Sequence, residues 1–139
     1  MRTITLVIVH CSAVRPSQTS SAAQIDKMHR ERGMKSIGYH YVVRRDGTLE
    51  MGREEGETGS HCKDHNRHSI GVCYEGGLDS NGNPCDTRTA EQTVALYELL
   101  KELHERYPRA LICGHHTFNP QKACPCFDVE REYRELQPY

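Results

Sequence analysis

A chain of 139 residues is one folding unit by the usual size relation, long enough to bury a core without help from disulfides. Its 18 Lys and Arg against 19 Asp and Glu leave a formal charge of −1, which excludes the basic footprint of a nucleic-acid or anionic-membrane binder. Seven cysteines form an odd set without regular spacing, and Cys73 and Cys113 lie in apolar runs, a pattern that suits a reduced protein made in the cytoplasm better than a disulfide framework.

The apolar, β-branched run Leu6-Val-Ile-Val9 predicts a buried strand that delivers His10 to a sheet edge. It is too short for a signal-peptide core or a membrane span, so no export address is expected. A polar loop follows, and the hydroxyl residues at 19–21 can cap a helix from about Ser21 to Arg32. Ile25, Met28 and Arg32 would share one of its faces, with Gly33 as the stop. Ile37 to Arg44 reads as a strand, and Arg45-Asp-Gly-Thr48 turns it back into Leu49-Glu-Met51 as a hairpin. Gly52 to His68 is polar and carries His61, His65 and His68, which predicts a surface loop without metal ligands. Ser69 to Tyr74 is a strand, apolar on alternate residues, and an open turn region spans Gly76 to Pro84.

Thr89-Ala-Glu-Gln92 has the spacing of a capping box. The stripe Val94, Leu96, Leu99, Leu100 and Leu103 predicts the longest helix, ended by Pro108. Ala110 to Cys113 is a short buried strand that empties into Gly114-His115, repeating the strand-then-histidine arrangement at His10. Asp128 can cap a final helix to about Leu136. This order predicts an α/β fold: a single domain with a mixed central sheet flanked by about three helices.

The chemistry concentrates in Gly114 to Asp128, where two imidazoles, an ammonium and two thiols share a segment with no helical or alternating pattern. Imidazole and thiolate suit Zn²⁺, and a catalytic zinc takes three protein ligands while a fourth position stays open. His10, one of His115 and His116, and Cys124 would complete a His₂Cys set. Each alone is more ordinary as a bonded core histidine or a small buried cysteine; the repeated placement of histidine after a strand, with a cysteine beyond, favours the metal.

Val9-His-Cys-Ser-Ala13, Gly38-Tyr-His40, Arg45-Asp-Gly-Thr48, Gly59-Ser-His61, His65-Asn66, Ser69-Ile-Gly-Val72 and Lys122-Ala-Cys-Pro125 occur in this order over residues 5 to about 130. In this the chain resembles the zinc-dependent N-acetylmuramoyl-L-alanine amidases, phage lysis amidases above all, with peptidoglycan recognition proteins as cousins. The resemblance implies an α/β fold, peptidoglycan as partner and hydrolysis of the amide between N-acetylmuramic acid and the L-alanine of the stem peptide. It implies His10, the histidine after Gly114, and Cys124 as zinc ligands, with Tyr39 and Lys122 as catalytic residues. Alignment on Gly-His selects His115, whereas spacing back from Cys124 would select His116; His115 is expected because loop length varies more freely than a strand end. The chain is expected to be a monomer acting on the cell wall.

In that setting Lys122 can offer an ammonium to a tetrahedral oxyanion, and the Tyr39 phenol can orient the water or the carbonyl. Taken singly, Lys122 reads as a solvated loop lysine and Tyr39 as a core aromatic. Three other readings compete. A zinc deaminase lacks its signatures here, since the thiols stand as Cys124-Pro-Cys126. A hydrolase with Cys11 or Cys124 as nucleophile would be stopped by alkylation rather than chelation. A non-catalytic binding module of the same fold is disfavoured by the presence of Cys124.

Overall fold

The computed structural model describes residues 2–138. Five strands form one sheet in the order β3-β2-β4-β1-β5: β1 is Leu6–Cys11, β2 Tyr41–Val43, β3 Leu49–Met51, β4 Ser69–Tyr74 and β5 Leu111–Gly114. β1 runs parallel to both β4 and β5, β2 runs parallel to β4, and only the β2–β3 hairpin is antiparallel. The mixed α/β sheet is thus the expected one.

The helices are α1, Ala22–Glu31, α2, Ala90–Arg106, and the short α3, Val129–Glu132. The chain crosses from β1 to β2 in one direction along the sheet and from β4 to β5 in the other. Right-handed crossovers in opposite directions place their helices on opposite faces. The packing agrees: Leu96, Leu99, Leu100 and Leu103 of α2 pack with Val7, Val9, Ile70, Val72 and Ile112, whereas Ile25 of α1 packs with Ile37, Val42 and Cys73. Both faces being covered, all six residues of β4 are buried, so the alternation read in its sequence marks no solvent side.

Both long helices begin in capping boxes, Ser21 with Gln24 and Thr89 with Gln92. Two stripes differ from expectation. In α1, Ile25 and His29 are buried and Met28 is 46% exposed, because His29 Nδ1 accepts the Gly38 N–H at 2.9 Å and turns that face inward. In α2, Val94 is 64% exposed, and fully buried Gln92 takes the inner position. Its Nε2 donates to the carbonyls of Val43 at 3.1 Å and Glu75 at 2.9 Å; Val43 also accepts the Glu75 N–H, so the Glu75 carbonyl is the one an apolar residue would leave unpaired.

The expected strand from Ile37 begins only at Tyr41. A Cβ at Gly38 would lie 2.0 Å from the Ser60 carbonyl oxygen, so the chain there is pressed against the following loop rather than laid along a neighbouring strand. The expected last helix breaks after Glu132 into a 3₁₀ turn, Arg134–Leu136, although Asp128 does cap it through Arg131 N–H. The stretch after Gly52 is not all surface: Arg53 and Cys62 are buried, and Arg53 donates to the carbonyls of Ile37 and Thr58.

Candidate active site

β4, β1 and β5 all end at one edge of the sheet, the kind of carboxyl edge where α/β proteins gather functional groups. His10, fifth in β1, shares a face with Ile8, away from α2, and is 1% exposed. β5 closes on Gly114 and passes directly into a 3₁₀ turn, His115–Thr117, which sets the His115 ring 4.6 Å from that of His10. The lack of a side chain at Gly114 matters, since a Cβ there would meet Pro125 Cδ at 2.9 Å. The Cys124–Cys126 segment therefore packs against the strand end. Cys124 Sγ accepts the Cys11 N–H at 3.1 Å, and the Cys124 carbonyl accepts the His116 N–H at 2.9 Å.

One donor atom each from His10, His115 and Cys124 lies within 4.8 Å of the others. Among the described residues this is the group so placed, and His116 is outside it. Cys126 stands apart too, with a backbone φ of 75° and its thiol donating to the Gly77 carbonyl at 3.5 Å. Two imidazoles and a thiol converging from three chain segments fit a zinc ion by donor chemistry.

Tyr39 lies just before β2 rather than inside a strand. Its ring is 5.1 Å from that of His10 and 5.7 Å from that of His29. Lys122 is exposed on the segment leading to Cys124, its N–H bonded to the Asn119 carbonyl at 2.9 Å.

Burial, reinforced by the neighbouring His61 and His115, holds the His10 pKa well below its ordinary value. His115 is lowered by burial and then by the Lys122 ammonium, so both imidazoles favour the neutral form that a ligand must have. Burial, then the thiols of Cys73, Cys124 and Cys11, raises the Tyr39 phenol well above its usual value and keeps its proton on. The Cys11 thiol is pushed up by its contact with the Cys124 side chain and by burial.

His61, expected on a surface loop, instead reaches inward to His10. His10 Nε2 and His61 Nδ1 are 2.9 Å apart, with the rings edge to face. Burial, then the nearby imidazoles of His40 and His115 and the guanidinium groups of Arg2 and Arg53, bring its pKa down to about 3. The sequence does hold a signal, a glycine inside a strand, which marks close approach of another group: a Cβ at Gly71 would strike the His61 ring at 2.5 Å.

Residues 1–127 match the family model for N-acetylmuramoyl-L-alanine amidase. The chain belongs to that family. As an amidase-family enzyme it is 46% identical over 123 residues to an endolysin of Enterobacteria phage K11, covering 88% of this chain and 81% of the endolysin. Its fold is similar to that of the N-acetylmuramoyl-L-alanine amidase LysC from Clostridium intestinale URNW, with a TM-score of 0.78 and 25% identity over 97% of this chain and 83% of the other. It also shares the fold of wild-type Drosophila PGRP-LB, with a TM-score of 0.74 and 22% identity over 98% and 81% of the two chains. No helix among the described residues is long and apolar enough to cross a membrane.

Proposed function

We propose that the chain is a zinc-dependent peptidoglycan hydrolase that cleaves the amide between N-acetylmuramic acid and the L-alanine of the stem peptide. The convergence of His10, His115 and Cys124 within 4.8 Å at the carboxyl ends of β1 and β5 carries this reading, and family membership supports the substrate. When bound, zinc supplies a Lewis acid and lowers the pKa of water toward neutrality.

The remaining chemistry falls to the chain's own groups. Tyr39, its phenol protonated at any physiological pH and its ring 5.1 Å from that of His10, is a hydrogen-bond donor suited to the amide carbonyl as negative charge grows on it. Lys122, exposed to solvent and close enough for its ammonium to depress His115, adds positive charge near the ligand set. His10 and His115, held neutral, serve as ligands rather than as general acids. A cysteine-nucleophile mechanism is disfavoured at Cys11, which is buried and has its thiol pKa raised.

The test combines metal analysis of the purified protein with mass spectrometry of digested peptidoglycan. The expected result is about one zinc per chain, fragments with a free N-terminal L-alanine, and loss of activity on chelation that added zinc restores. Cleavage that survives chelation, or a different product end, overturns the proposal.

A further inference from the structure

His10 has two ring nitrogens, and its Nε2 is engaged 2.9 Å from His61 Nδ1. Nδ1 is therefore the nitrogen available to a metal. A neutral imidazole carries one proton, so a free lone pair on Nδ1 requires the proton on Nε2, and that N–H requires an acceptor. The same pair can be occupied the other way round, with His61 Nδ1–H donating to His10 Nε2. His10 would then carry its proton on Nδ1, where it blocks ligation. Which arrangement holds is decided at His61.

The surroundings of His61 accommodate the first arrangement. Its Nε2 lies 3.2 Å from Ser69 Oγ, a hydroxyl able to accept, and a proton placed there leaves Nδ1 as the acceptor that His10 needs. The ring's position is built by several residues. Asn66 Oδ1 accepts the N–H groups of His61 and Cys62, each at 2.9 Å. Gly71 and Gly59 vacate the space, since a Cβ at either would strike the ring, at 2.5 and 2.8 Å.

We infer that His61 is a positioning residue of the metal centre: by accepting the Nε2 proton of His10 it selects the tautomer whose Nδ1 can bind the ion. This rests on the zinc reading of the site. Partners that orient a ligating histidine are worth roughly 10- to 100-fold in metal affinity, and here an imidazole fills the role usually given to a carboxylate or carbonyl.

The experiment measures zinc affinity of the full chain by competition with a chromogenic chelator, with the melting temperature of each metal-free protein recorded alongside. His61→Phe keeps a ring but has no acceptor, whereas His61→Asn keeps an acceptor oxygen at the place of Nδ1. The expected outcome is affinity reduced about 10- to 100-fold in His61→Phe and close to wild type in His61→Asn. Wild-type affinity in His61→Phe overturns the inference while leaving the zinc reading intact. Equal losses of affinity and of metal-free stability in both variants make His61 a packing residue and also overturn it. Should His61→Phe fail to fold, a loss of tenfold or more in His61→Asn is the overturning result. A wild-type chain that binds no zinc sinks the zinc reading and this inference together.

Discussion

Lys122 stands in solvent two residues before Cys124, tethered to the ligand set without being part of it. A group so placed can act on the transition state without holding the metal. Lys122→Ala is therefore expected to keep zinc and melting temperature but to lose about 10²- to 10³-fold in kcat, the usual cost of deleting one oxyanion donor. Peptide release and bound zinc measured on the same sample check this, and wild-type turnover would return Lys122 to the plain surface. The histidine pair divides in the same way. His115 is 4.6 Å by ring separation from His10, and His116 lies outside the converging group, so His115→Ala should lose bound zinc and His116→Ala should retain it. Metal content of the two purified variants decides the point. The sequence held both histidines open until the strand end was aligned, because adjacent residues in an irregular segment carry no period that tells which one points inward.

At the scale of elements, α2 shows what an apolar stripe leaves unsaid. Leu96, Leu99, Leu100 and Leu103 were legible by their spacing and are buried, but Val94 was assigned to the same stripe and faces solvent. Gln92, read as a capping residue alone, also caps the ends of two strands: its amide donates to Val43 and Glu75 while its Oε1 accepts the Thr89 N–H at 3.0 Å. Gln92→Ala leaves the buried Glu75 carbonyl without its donor, while the Val43 carbonyl keeps the Glu75 N–H at 2.9 Å, and the loss should be about 1–3 kcal/mol for the unsatisfied group. Urea unfolding should show a lower midpoint with an unchanged slope. A Gln92→Ala chain as stable as wild type would show that water replaces the amide at no cost.

At the scale of the whole molecule, the sheet is crossed on one side by buried imidazoles, and these set its response to acid. His40 is fully buried; its Nδ1 accepts the Gly71 N–H at 3.0 Å and its Nε2 donates to the Glu57 carbonyl at 2.8 Å. Both nitrogens are thus used in the neutral form, and protonation would break the bond to Gly71. Burial, with Arg2 and Arg53 nearby, lowers its pKa accordingly. As pH falls through about 6.5 the unfolded chain binds a proton that the folded chain refuses, so stability present above that value is lost below it. For one histidine the slope is at most about 1.4 kcal/mol per pH unit. Unfolding free energies between pH 7 and 5 should fall less steeply in His40→Gln than in wild type, and parallel curves would show that His40 does not contribute.

The strands at Leu6, Ser69 and Ala110, the capping boxes at Ser21 and Thr89, and the pairing of strand with histidine were all local patterns, and local patterns are what a sequence states directly. They were enough for the α/β class, for the order of its elements and for His10, one of His115 and His116, and Cys124 as a set worth proposing, the family resemblance then selecting His115. Three things depended on the tertiary structure: the displacement of Tyr39 from its strand, the exposure of Met28 and Val94, and the insertion of His61 behind His10. Each arises where distant segments meet. Gly38 presses on Ser60, His29 reaches Gly38, and the His61 ring occupies the space left by Gly71. Contacts of that kind have no period along the chain, because they are set by where the crossovers bring the segments together.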